Sequence, residues 1–95
     1  LIKVSREYSA LTFLDEVHAV GIYGPEGRGY AFEDRTGIDI ISGTLGKAFG
    51  VIGGYIAANR EIIDFLKQRS PGFIYSTSLP VGNVASAIKS IEIVR

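Results

Sequence analysis

The chain has 95 residues, 46% of them hydrophobic, and its ten basic and ten acidic residues cancel. No block of five like charges occurs, which argues against a nucleic-acid surface or a polybasic membrane anchor, and no apolar stretch approaches the ~20 residues of a membrane-spanning helix. The lack of cysteine removes any disulfide framework and any thiolate metal site.

A first residue of Leu1 and no methionine anywhere lead us to expect an internal piece of a longer protein, with no domain boundary inside it. In chain order, Ile2, Val4 and Tyr8 alternate with charged residues and predict the end of a helix. Leu11-Thr12-Phe13-Leu14-Asp15 is apolar until its last residue and predicts a strand buried on both faces. A carboxylate at the C-terminal end of such a strand lies where open α/β sheets bind ligands.

Glycines 21, 24, 27, 29 and 37, with Pro25 among them, predict a long structured loop. Ile38 to Ile41 is expected as a second strand and Gly53 to Ala58 as a third, with the glycine-punctuated segment Ser42 to Gly50 between them. Asn59 is a suitable N-cap for a helix reaching about Arg69, because Glu61 lies in its first turn and Ile62, Ile63 and Leu66 form one face. Pro71-Gly72 ends that helix, and Phe73-Ile74-Tyr75 follows as a short β-like run. Ser76, Thr77 and Ser78 then precede Pro80 and a last helix with Val84, Ala87, Ile88 and Ile91 at helical spacing; one of the three hydroxyls is expected to cap it. Alternating strands and helices predict an α/β fold with a mostly parallel sheet.

Lys47 is the residue with the clearest chemical use. A lysine among glycines at a strand end, with the Thr44 hydroxyl three residues earlier, can offer its amine to an aldehyde cofactor while the hydroxyl meets a phosphate. Pyridoxal phosphate is therefore the leading cofactor. The triphosphatase loop is a poor alternative, since its required glycine and hydroxyl positions are Ile41 and Ala48 here. Gly24-Pro25-Glu26-Gly27-Arg28-Gly29 likewise misses the dinucleotide spacing.

Asp15 and His18 form a second polar cluster. Alone, an Asp-x-x-His is most simply structural, and with no other histidine it supplies too few ligands for a metal. Beside Lys47 it gains a use, because a carboxylate at contact distance keeps a pyridine nitrogen protonated and a histidine can donate to a phenolic oxygen. Thr44 and the Ser76-Thr77-Ser78 cluster would serve the phosphate.

Four ordered motifs carry a family resemblance: Asp15 through Pro25, Ser42 through Gly50, Gly53 through Ala57, and Gly72 through Pro80. Together they resemble the α-oxoamine synthases, acyltransferases of the fold-type I pyridoxal-phosphate class. The resemblance implies a fragment, residues 1–95, of the large cofactor-binding domain, with Lys47 in Schiff-base linkage, Asp15 on the ring nitrogen, His18 on the phenolic oxygen and Thr44 on the phosphate. It also implies a homodimer in which Ser76 and Thr77 reach the neighbouring subunit's cofactor.

Within the family, Glu16-Val17, Tyr23-Gly24-Pro25 and Phe73 to Pro80 favour the branch that condenses glycine with succinyl-CoA in tetrapyrrole synthesis. The biotin-pathway, sphingolipid and aminoketobutyrate branches, or a non-catalytic subunit of the same fold, are the alternatives. Val81 stands where the family often has a second proline, and the loop from Gly29 to Ile38 is short. The expected compartment is the mitochondrial matrix in a eukaryote and the cytoplasm in a bacterium.

Overall fold

A computed structural model describes all residues, Leu1–Arg95, and in it strands and helices alternate along the chain, three strands and four helices in all. The order is α1 (Ile2–Glu7), β1 (Phe13–Asp15), two 3-10 turns at Pro25–Gly27 and Tyr30–Phe32, β2 (Ile40–Thr44), β3 (Gly54–Ala58), α2 (Arg60–Arg69), α3 (Pro71–Ile74) and α4 (Val81–Val94).

The sheet has the order β1-β2-β3. β1 and β2 are parallel, with Asp15 opposite Ser42, and β2 and β3 are antiparallel, with Thr44 opposite Gly54. The α/β class is as expected, but the sheet within this chain is mixed rather than mostly parallel. Connection length decides the difference. Residues 16–39 are long enough for a parallel crossover, whereas residues 45–53 form a tight return that brings β3 straight back beside β2.

β2 also begins two residues later than expected. Asp39 Oδ2 accepts from the Thr12 amide at 2.8 Å and the Asp39 amide donates to Thr12 Oγ1 at 2.8 Å, so side chains replace the ladder there. Regular pairing starts with the Ile40 amide on the Thr12 carbonyl at 3.0 Å.

α2 forms where its caps place it: Asn59 Oδ1 accepts from the Ile62 amide at 2.9 Å, Glu61 lies in the first turn, and Lys67 and Arg69 lie in the last. These charges complement the helix dipole. The helix packs on β3 and α3.

Two local expectations fail. Phe73 and Ile74 belong to α3, a single helical turn with Pro71 at its start, and their amides both donate to the Ser70 carbonyl at 3.0 Å. Proline's fixed φ at a first helical position outweighs the β preference of Phe-Ile-Tyr. None of Ser76, Thr77 and Ser78 caps α4, whose N-cap is Pro80; Ser78 stands too far upstream for its hydroxyl to reach the first free amides.

The molecule is a slab of 44 × 34 × 18 Å. Its accessible surface of 7120 Å² exceeds by about a third the ~5,300 Å² expected of a compact monomer of its mass. β1 therefore is not buried on both faces: as an edge strand with nothing over one side, it leaves Phe13 61% exposed. The buried hydrophobic residues are Val20, Ala31, Phe49 and Ala87: three lie on the loops that follow β1 and β2, the fourth on α4, and none on a strand.

Candidate functional site

Because β1 and β2 run parallel, their C-terminal ends open onto the same edge of the sheet, and the loops that follow meet there. Asp15 ends β1, and its Oδ1 accepts from the Val17 amide at 2.9 Å. That bond starts a turn in which the Glu16 carbonyl accepts from the amides of Ala19 and Val20, each at 2.9 Å. His18 lies exposed on this turn. Asp15 thus has the structural use expected of an isolated Asp-x-x-His and keeps its second oxygen free; the His18 ring makes no hydrogen bond to the protein.

The loop carrying Lys47 is closed at its neck. The Leu45 amide donates to the Gly53 carbonyl at 2.9 Å, the Val51 amide to the Leu45 carbonyl at 2.8 Å, and the Gly50 amide to the Lys47 carbonyl at 3.0 Å. Thr44 Oγ1 accepts from the Gly46 amide at 3.0 Å and donates to the Gly53 carbonyl at 3.2 Å. The hydroxyl read as a phosphate ligand is thus also an organiser of the loop. Lys47 stands at the exposed tip, and its amine enters none of the salt bridges.

The two loops lock together at Gly21 and Phe49. Gly21 has φ +86°, and a Cβ there would lie 2.6 Å from Ala48 Cβ and 3.3 Å from the Phe49 ring. Only glycine permits both the backbone and the approach. Phe49, 8% exposed, anchors the loop two residues after Lys47, so a rigid neck and an anchor hold a free amine.

Ser76 and Thr77 lie on the exposed link between α3 and α4. The neighbouring Leu79 sits against the neck of the lysine loop, since a Cβ on Gly53 would meet it at 3.0 Å. Neither hydroxyl bonds to Asp15, His18, Thr44 or Lys47. The structure thus gathers Asp15, His18, Thr44 and Lys47 on one edge and leaves Ser76 and Thr77 facing away from any internal partner.

Glu16 enters the sequence reading only as a mark of the family branch, and its structural role is missed there. It is 4% exposed, with Oε2 accepting from the Tyr30 amide at 3.0 Å and Oε1 from the Ala31 amide at 2.7 Å. Bonds to a charged acceptor contribute about 1.5–3 kcal/mol each. Gly29, at φ +96°, makes room for it, because a Cβ there would stand 3.1 Å from the carboxyl group. Burial first and the Glu16 charge second raise the Tyr55 hydroxyl above the ordinary tyrosine value, with Arg35 acting in the opposite sense.

Two grooves lie outside this edge. One of about 1160 Å³ runs between α1, β1 and the 3-10 turns, and the other, of about 550 Å³, lies between β2, β3 and α2. Neither is lined by Asp15, His18, Thr44 or Lys47. No group of three or more metal-ligating side chains occurs, and no helix is long and apolar enough to cross a membrane.

Chemically, a free amine, a carboxylate with an open oxygen and an imidazole with open nitrogens can hold a flat, cationic heterocycle that bears a carbonyl. The aminotransferase class I and II family matches residues 1–95, and the chain belongs to that family. Its sequence relatives include 5-aminolevulinate synthases. It is 55% identical over 91 residues to that of Paracoccus denitrificans, covering 94% of this chain and 22% of that protein. It is 50% identical over 97 residues to the erythroid-specific mitochondrial form of Homo sapiens, covering 100% of this chain and 16% of that protein. A solved structure of SPT with its PLP internal aldimine superposes with a TM-score of 0.83 at 30% identity, over 98% of this chain and 24% of that one. The chain therefore spans about a fifth of the length of the curated relatives it matches.

Proposed function

We propose that these residues form the lysine-bearing part of the large domain of a pyridoxal-phosphate-dependent α-oxoamine synthase, which condenses glycine with succinyl-CoA to 5-aminolevulinate, CoA and CO2. The observation that carries this reading is the sheet edge where Asp15, His18 and Lys47 stand within two interlocked loops, each with polar atoms that no protein group satisfies. Identity of 55% to a 5-aminolevulinate synthase, against 30% to SPT, favours the succinyl-CoA branch.

The donor set fits the cofactor: Lys47 would hold its carbonyl carbon covalently, Asp15 its ring nitrogen, His18 its phenolic oxygen. Thr44 would serve the phosphate by turning its proton away from the Gly53 carbonyl, the longest bond of the loop at 3.2 Å. Pyridoxal phosphate supplies the electron sink for charge left at the glycine α-carbon. Asp15 maintains that sink by favouring the protonated ring nitrogen. Lys47 Nζ would accept the glycine α-proton as general base. The closed neck of residues 45–53 keeps that amine within reach.

Ser76 and Thr77, without internal partners, would complete the phosphate site of a second subunit in a homodimer, which leaves an isolated protomer inactive. The compartment would be the mitochondrial matrix or the bacterial cytoplasm, according to the organism. Assay of the full-length protein with glycine and a panel of acyl-CoA thioesters tests the substrate reading. A kcat/KM highest with succinyl-CoA is expected. Preference for another acyl chain would overturn the branch while leaving the family intact, and no turnover with any acyl-CoA would favour a non-catalytic subunit.

A further inference from the structure

Glu16 is buried beside the proposed site, carries a charge-bearing group, and is used by none of the chemistry above. Its connections run in three directions. The Glu16 amide donates to the Ser42 carbonyl at 2.9 Å, extending the β1–β2 ladder one residue past Asp15. Its carbonyl accepts from Ala19 and Val20, each at 2.9 Å, and so closes the turn that carries His18. Its two carboxylate oxygens take one amide each from Tyr30 and Ala31, at 3.0 and 2.7 Å.

No arginine or lysine pairs with this carboxylate. A buried acid held only by backbone amides is an expensive way to pin a loop, and an apolar residue could fill the space if pinning were its whole task. What an apolar residue could not do is transmit a fixed position from Tyr30 and Ala31 to the turn between Asp15 and His18.

We infer that Glu16 is a positioning residue: its carboxylate ties the Tyr30–Ala31 amides to the Asp15–His18 turn and thereby sets where Asp15 and His18 stand beside the Lys47 loop. This rests on the cofactor reading for its consequence, not for its geometry. Glu16→Gln keeps the shape but leaves one oxygen, and its new NH2 group meets a backbone N–H, so one bond is lost.

The experiment is performed on full-length protein, wild type and Glu16→Gln. Hydrogen exchange on the apoprotein follows the amides of residues 17–20 and 30–31, and the loaded protein is titrated through the pH dependence of its visible absorption. Exchange at least about tenfold faster in both segments, the change expected for loss of one bond to a carboxylate, together with a midpoint displaced by about half a pH unit or more, is the predicted result. Faster exchange at 30–31 alone would overturn the inference, as would an unchanged midpoint.

Should Glu16→Gln not fold, Tyr30→Pro removes one of the two donors instead. Tyr30 opens a 3-10 turn, where proline is tolerated, and its ring is 82% exposed. Faster exchange at residues 17–20 and at Ala31 is expected of it, position 30 then having no amide to follow. If the wild type shows no cofactor absorption at all, the cofactor reading fails by itself, and the apoprotein exchange still decides whether Glu16 couples the two segments.

Discussion

The parallel pair β1–β2 has two ends that treat their polar groups in opposite ways. At the N-terminal end, Asp39 accepts from the Thr12 amide and hydroxyl at 2.8 and 2.9 Å and from Arg6 at 3.1 Å, and Arg6 also reaches the Gly37 carbonyl at 3.1 Å. Asp39 and Arg6 are paired with each other there. At the C-terminal end, Asp15 spends one oxygen on a local turn, and the side chains of Lys47 and His18 bond to no protein group. These three side chains are exposed, so water satisfies them in the free protein and a ligand can take its place. We propose that the paired end carries stability and the unpaired end carries chemistry.

The sharpest break of that contrast comes at Lys47. Lys47→Ala in the full-length protein is expected to abolish the visible absorption of the bound cofactor and to lower turnover by about 10²–10⁴-fold or more, the usual worth of a general base, with little change in melting temperature. An unchanged absorption band would remove Lys47 from the site. Asp15→Asn comes next: the amide oxygen still accepts from Val17, so the fold persists, while kcat falls by about 10²–10³-fold through the lost charge. Equal losses of stability and activity would place Asp15 with the structural end instead.

Gly21→Ala tests the joint between the two loops. The new methyl meets Ala48 Cβ at 2.6 Å and forces a backbone of φ +86°, so thermal unfolding is expected to show a loss of about 1–3 kcal/mol and kcat to fall as Lys47 shifts. A neutral result would mean that the loops do not hold one another.

The smallest effect belongs to the paired end. Hydrogen bonds from the Thr12 amide and hydroxyl, then Arg6, hold the Asp39 carboxyl below its ordinary value of 3.8. A group depressed in the fold stabilises fully above its unfolded pKa and loses that contribution as pH falls through the folded one. Asp39→Asn is therefore expected to lower the melting temperature by a few degrees near neutrality and to lose part of the acid dependence below about pH 4, with kcat per folded molecule unchanged. A change in kcat would show that the two ends are coupled.

Local rules made most of this legible. Asn59, Glu61 and the spacing of Ile62, Ile63 and Leu66 placed α2, and Lys47 could be singled out because its glycines and neighbouring strand leave few other uses for an amine. What stayed hidden depends on partners distant in sequence. Glu16 meets backbone amides of Tyr30 and Ala31, which any residue would offer, so nothing but Gly29 marks the contact. The direction of β3 depends on how tightly residues 45–53 close, and that closure rests on backbone bonds between Leu45, Val51 and Gly53 together with the Thr44 hydroxyl, which sequence reasoning assigns to a phosphate. Phe73 to Tyr75 read as a strand by composition, yet one proline set the turn.

The central claim is that the unpaired edge holds a carbonyl cofactor through one particular amine. Borohydride reduction of the full-length protein loaded with pyridoxal phosphate, followed by peptide mapping, tests it most directly. The account requires the label on Lys47; label on Lys3, Lys67 or Lys89, or on none of the four lysines of this chain, would contradict it.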